Sequence, residues 1–276
     1  MTLVSHFTPA RENASTSAQK TSRTTRLLPR HPIAGQRILG PVLVLAAWWI
    51  STSLGWISPG KLPGPTAVYE AFIGTLSDGT LASDLGISLQ RTGLGIVIGV
   101  AAGSILAILA GLSRIGDSII DGNVQVKRAI PNLALIPLFI IWLGIGESMK
   151  VIIIALGVLI PIYINMHAAL TSIDRRYVEL GQTVSLSRSR FLRDIVIPAS
   201  LPGFFTGLRL GVTAAWTALV VVETINATSG VGYMITQART YGQTELVLLG
   251  LVIYGVLGFT SDAVVRVVER KVLSWR

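Results

Sequence analysis

The length of its apolar runs is what most constrains this chain. Six stretches approach the roughly 20 residues that a helix needs to cross the hydrocarbon core of a bilayer. They lie at about 38–57, 89–112, 129–145, 151–170, 203–222 and 246–265. These are continuous blocks rather than one-sided stripes, so an ordinary soluble core cannot absorb them. Only 13% of the 276 residues are charged, against about 25% in soluble domains. The reading is an all-α membrane protein, a bundle of about six transmembrane helices. Pro131 and Pro137 interrupt the third stretch, so five spans with a re-entrant third is an open alternative.

The formal charge of +9 is explained by its distribution. With the N-terminus placed in the cytoplasm, 19 of the 23 Lys and Arg fall on the inner side and only Lys61, Arg91, Lys150 and Arg239 outside. Eight acidic residues fall inside and six outside, which leaves +11 and −2. The positive-inside rule then sets both termini in the cytoplasm. The basic balance therefore reports topology, and nothing in it favours nucleic acid. Residues 1–37 are rich in Ser, Thr and Arg and poor in apolar residues. They read as a disordered, basic cytoplasmic tail that can meet anionic headgroups. They lack the apolar core and cleavage site of a signal peptide.

Between the first two spans, Thr66 precedes Val68, Phe72 and Leu76 at helical spacing, which predicts a short amphipathic helix at the outer surface. Its role is either to cover the bundle or to meet an outside partner. Gly95, Gly99 and Gly103 recur every four residues, as do Gly203, Gly207 and Gly211. Such stripes let helices approach closely in lipid, within the chain or at a seam between two copies.

Residues able to carry chemistry are few. There is no Cys, which excludes thiolate metal sites, disulfides and cysteine nucleophiles. No His/Asp/Glu group has metal-ligand spacing, and His167 reads as a packing residue at the inner end of span four. Neither a phosphate-binding G-x-x-x-x-G-K-[ST] nor a G-x-S-x-G elbow occurs, so the chain has no catalytic or nucleotide-binding motif and no cofactor of its own. Two ionisable residues belong to the spans. Arg209 lies two turns into span five, where it can snorkel to the inner headgroups or face an aqueous path and attract an anion. Glu223 closes the same span on the outer side, where a carboxylate costs little. Ion-coupled carriers place acids or unwound polar segments at mid-membrane. Their scarcity here argues for energy supplied by another protein.

The segment 171–201 is long, charged and still periodic, with apolar Val184, Phe191, Leu192, Ile195 and Val196, and Pro198 and Pro202 are expected to end it before span five. It carries Glu179-Leu180-Gly181, then Ser185, then Ile195-Val196-Ile197-Pro198. In spacing this resembles the E-A-A-x(3)-G-x(9)-I-x-L-P loop of permease subunits of bacterial ABC importers. Leu180 and Gly181 replace the two Ala, Ser185 the Gly, and Ile197 the Leu. Beyond residue 38, Asn132-Leu-Ala-Leu-Ile-Pro-Leu138, Trp142-Leu-Gly-Ile-Gly-Glu147, Pro161-Ile-Tyr-Ile-Asn165, Glu223-Thr-Ile225 and Gly230-Val-Gly-Tyr233 look like the nitrate/sulfonate/taurine branch. The likeness is greatest to aliphatic-sulfonate permeases.

The resemblance implies a MetI-like permease domain over 38–276, with 171–201 as its coupling loop. It implies a homodimer in the bacterial inner membrane, two copies of an ATP-binding subunit that holds ATP and Mg beneath it, and a solute-binding protein outside. Glu179 would anchor the loop's turn, and Ser185 would occupy a position where Gly tolerates positive φ better. An alkanesulfonate has an anionic head and an apolar tail, which suits a mostly apolar path with a few donors. Asn132, Trp142, Asn165, Trp216 and Thr217 are the span-located candidates, with Arg209 and Glu223; each is also a type that packs helices together. The alternatives are a taurine or nitrate permease and, in another class, a self-sufficient carrier or channel. A membrane enzyme would require a titratable constellation within the spans, and none can be assembled.

Overall fold

The computed structural model describes residues 36–275; the expected tail lies almost wholly outside them. The chain divides within its first helix into two units, one ending at Ala46 and the other running from Ala47 to Arg276. That helix, α1, is Gln36–Ser53. In the larger unit α2 is Pro65–Ser77, α3 Thr80–Gly111, α4 Arg114–Ala129 and α5 Ile136–Leu143. There follow α6 Glu147–Thr171, α7 Arg175–Thr183, α8 Arg188–Phe191, α9 Ile197–Asn226, α10 Val231–Thr240 and α11 Thr244–Val272. Short helical turns at Asn132–Leu135 and Leu192–Val196 complete the described elements.

Four helical stretches are long and apolar enough to cross a membrane: α3, α6, the continuous Arg188–Ile225 and α11. The fold is therefore all-α as expected, with four or five spans among the described residues, which favours the five-span alternative over six. The first expected span is represented by the shorter apolar helix Leu39–Ser53, about 22 Å long at 1.5 Å per residue. The third is broken. α4 and Asn132–Leu143 meet at 90° and form at most one bent span. The cause is Pro131, which has no N–H and pushes Ile130 into extended backbone (φ −90°, ψ 119°). Span two starts nine residues earlier than hydropathy indicated, at Thr80, because the polar first turns continue one helix. The amphipathic helix after Thr66 is present as α2, beginning at Pro65.

α6 is the axis of the bundle, lying between α3 and α9, and both glycine stripes face it. A methyl group on Gly99 would lie 2.5 Å from the Ala155 carbonyl oxygen, and one on Gly207 2.7 Å from that of Pro161. The stripes are thus close packing within the chain. Around them Met149, Ile153, Ile154, Val158 and Ile162 of α6 pack with Phe205, Val212, Leu219 and Val222 of α9. A second apolar cluster, with Ala107, Ala110, Tyr163, Met166 and Leu170, forms at the end nearer residues 171–201.

Pro198 and Pro202 do not end the loop before span five. Pro198 sits in the first turn of α9 and Pro202 inside it. The widened turn Leu192–Val196 lies just ahead of Pro198, and the chain stays helical through both prolines to Ile225.

Candidate functional site

Two regions hold the polar groups, one at each end of the bundle. At the first, Arg91 of α3 and Glu223 of α9 are 2% and 1% exposed. Arg91 Nη1 donates to Glu223 Oε1 at 2.7 Å and to the Ser229 carbonyl at 2.7 Å. Its Nε and Nη2 grip both oxygens of Glu147 at 2.5 and 2.7 Å, and Nη2 also reaches Ser229 Oγ at 3.3 Å. All five guanidinium donors are therefore used. Lys150, also buried, donates to Glu147 at 2.8 Å.

Glu223 is equally well satisfied. The Ser88 hydroxyl lies 2.8 and 2.9 Å from its two oxygens, and the Tyr254 hydroxyl and the Gly232 N–H donate to Oε2 at 2.8 and 2.9 Å. Asp84 accepts from Gly230 N–H and Ser88 Oγ from Val231 N–H. The free donors at the start of α10 thus end on side chains from α3 and α9, the arrangement that a positive helix terminus favours. The Gly-Val-Gly of residues 230–232 follows from this closeness. Gly230 has φ +106°, and a methyl on Gly232 would lie 2.5 Å from Glu223 Cβ.

This cluster corrects three expectations. Arg91 and Lys150, counted among the outside charges, are buried in the bundle, and Glu223 is no cheap carboxylate at a helix end. Buried charges persist only when paired and hydrogen-bonded. A charge of each sign within the apolar runs at matching depth was the available signal.

At the other end lies the 171–201 segment, which is largely helical. Asp174 caps α7 by accepting the Arg176 N–H at 2.9 Å. α7 ends on Ser185 with φ +52°, where the Leu186 N–H returns to the Gly181 carbonyl and the Ser185 N–H to Gln182. That is a Schellman closure with Ser at the position Gly usually takes, so the Gly-to-Ser departure keeps the left-handed backbone. Gly181 is needed because a methyl there would lie 2.9 Å from Phe191 Cδ2. Phe191, Leu192 and Val196 are turned into the second apolar cluster, while Ile195 is half-buried and Pro198 likewise. Tyr177, Leu180, Val184 and Ile197 stay exposed. Glu179 is exposed on α7.

The expected pathway residues are not gathered at one place. Arg209 pairs with Asp262 of α11 at 3.3 Å, and Asp262 also pairs with Arg266. Trp216 is buried and donates to Ser261 Oγ at 3.1 Å. Asn165 and Thr217 donate to carbonyls of their own helices, those of Pro161 and Thr213. Trp142 is exposed, edge-on to Phe139. Asn132 stands at the α4–α5 break and accepts from Lys127 Nζ. His167 packs as expected, stacked on Tyr163 and 2.9 Å from Asp117.

Residues 95–274 match the family described as the binding-protein-dependent transport system inner membrane component. The aliphatic sulfonates transport permease protein SsuC of Escherichia coli (strain K12) is 40% identical over 235 residues, 85% of this chain and 89% of that one. Its namesake in Bacillus subtilis (strain 168) is 37% identical over 239 residues, 87% of each chain. The taurine transport system permease protein TauC of E. coli is 32% identical over 258 residues, covering 91% and 94%. Among solved structures, an amino acid ABC transporter with histidines has the same fold, at a TM-score of 0.54 and 18% identity over 72% of this chain and 97% of that one.

Proposed function

Because the chain belongs to the family of binding-protein-dependent transport system inner membrane components, we propose that it is the permease through which an ATP-driven importer passes aliphatic sulfonates. The observation that carries the substrate is the identity to two sulfonate permeases over most of both chains, higher than to the taurine permease. In this reading both termini and the 171–201 segment are cytoplasmic, and two copies of the chain form the pathway. Two ATP-binding subunits hold ATP and Mg and perform the hydrolysis, and a solute-binding protein delivers substrate to the Arg91–Glu223 end.

Tyr177, Leu180 and Val184 form an exposed apolar stripe along α7 at i, i+3 and i+7, which suits docking onto the ATPase. Closure of the ATPase pair on ATP then pushes α7. The tight closure at Ser185 and the Gly181–Phe191 packing pass that push to α8, and the continuous helix to Ile225 carries it through the membrane. At the far end the Arg91–Glu223 cluster ties α3, α6, α9, α10 and α11 together, so the bundle moves as a rigid body.

The test is reconstitution of the chain alone, and with its ATPase and binding protein, followed by uptake of labelled alkanesulfonate. Uptake is expected only from the full assembly with ATP. Uptake by the chain alone without ATP would make it a self-sufficient carrier, and a preference for taurine or nitrate would reassign the substrate.

A further inference from the structure

The long spans differ in what they leave exposed. From Gly93 to Leu109 of α3 every exposed residue is apolar, Val97 and Ile105 among them. The same holds from Leu251 to Phe259 of α11, until Thr260. These are faces that lipid can cover. On α9, between Pro202 and Val222, the exposed residues are Thr206, Arg209, Leu210, Thr213 and Thr217, so all but Leu210 are polar.

Steps of three, four and four residues keep Thr206, Arg209, Thr213 and Thr217 on one face of the helix. Half-buried Thr224, seven residues further on, continues the line. The ribbon is about 27 Å long at 1.5 Å per residue, close to the roughly 30 Å of hydrocarbon that a span crosses. Threonine alone would not make it a wet face. Thr206, Thr213 and Thr217 bond to carbonyls of their own helix, which makes a hydroxyl tolerable in lipid.

Arg209 supplies the second argument. It stands 12 residues past the start of α9, about 18 Å along it, and a charge at such depth normally faces a water-filled cavity or the bundle interior. Its side chain is partly exposed, as is that of Asp262. The bond to Asp262 holds it across to α11. Ser261, next to Asp262, meets Trp216 seven residues further out on α9, so the guanidinium is not directed to the inner headgroups. Asp262 takes only Nε, at 3.3 Å; among the described residues the Nη groups of Arg209 have no hydrogen-bond partner. Arg266 shares the same carboxylate. Two guanidiniums on one carboxylate leave this face positively charged, with Arg209 steered rather than neutralised.

We propose that the face of α9 from Thr206 to Thr224 is a wet wall of the translocation path, closed off from lipid by the second copy, and that Arg209 is the charge that draws anionic substrates onto it. Asp262 is its positioning residue. The inference rests on the sulfonate-importer reading for its ligand, an alkanesulfonate, and deepens it.

The absence of Cys makes the test direct. Single cysteines are placed in the permease–ATPase complex in phosphatidylcholine nanodiscs and labelled with anionic sulfonatoethyl or cationic trimethylammonioethyl methanethiosulfonate, without and with ATP. Thr213→Cys and Thr217→Cys are expected to react at least tenfold faster than Val256→Cys on α11 and Val97→Cys on α3. Equal, slow reaction at all four overturns the wet wall. At Thr213→Cys the ratio of anionic to cationic rates is expected to fall about fivefold when Arg209→Gln is added, as removal of one nearby charge in a hydrated site requires, and to persist with Arg209→Lys. An unchanged ratio overturns the role of Arg209. Pentanesulfonate is expected to slow the labelling of Thr213→Cys. Protection by phosphatidylglycerol in its place overturns the path, since a lipid headgroup then holds Arg209. Alkanesulfonate uptake by the full assembly separates the two failures. Uptake with slow labelling overturns the wall alone, whereas fast, charge-dependent labelling without uptake overturns the importer reading together with the ligand assigned to the wall.

Discussion

Arg91 and Glu223 are joined across 132 positions of sequence, and the energy of that pairing sets its consequence. An exposed pair contributes about 0–1 kcal/mol. Here both groups are buried, so removing one leaves the other uncompensated, at about 3–5 kcal/mol. Arg91→Met and Glu223→Gln are each expected to lower the thermal unfolding midpoint of the purified chain sharply. The double variant is expected to lose clearly less than the two losses combined, and simple additivity would refute the coupling. Part of this was legible. Arg91 falls inside the apolar run that begins near residue 89, and Glu223 closes another. Hydropathy tells which segments leave water, but not which side chains meet there, so it leaves Arg91 among the outside charges and Glu223 as a tolerated helix end.

At the scale of elements, the end of α7 shows how a local rule survives a substitution. Ser at φ +52° costs about 1 kcal/mol relative to Gly, while the return bonds of Ser185 and Leu186 hold the turn. Ser185→Gly is therefore expected to slow amide hydrogen exchange at Val184 and Leu186 about fivefold, and Ser185→Val to speed it. Unchanged exchange in both variants would mean that the turn is not the weak point of α7. The spacing from Glu179 to Pro198 located this element correctly, because turn geometry depends on neighbours along the chain. The same reasoning failed at Pro198 and Pro202. A proline rule written for an isolated helix does not foresee that the chain stays helical past the widened turn at Leu192–Val196 and through both prolines. It failed too at the third span, where proline positions suggested a break but could not tell its angle.

For the whole molecule, orientation is the property most directly open to experiment, since the chain has no Cys and single cysteines report without background. Lys61→Cys, between α1 and α2, is expected to react with a membrane-impermeant maleimide in intact cells. Lys271→Cys, in the last turn of α11, is expected to react only after the membrane is opened. The reverse pattern would invert the topology and move the coupling segment to the wrong side for an ATPase. By itself the sequence determined that the chain is a helical membrane protein, where its main apolar helices run, which loop resembles the coupling loop, and to which family it belongs. Each of these is written in runs and spacings along one dimension. Only the tertiary structure decided that the glycine stripes close on α6 and that Arg91 and Glu223 neutralise one another. Those facts depend on the rotation and depth of helices packed from distant segments, and close packing sets both only once all the helices are in place.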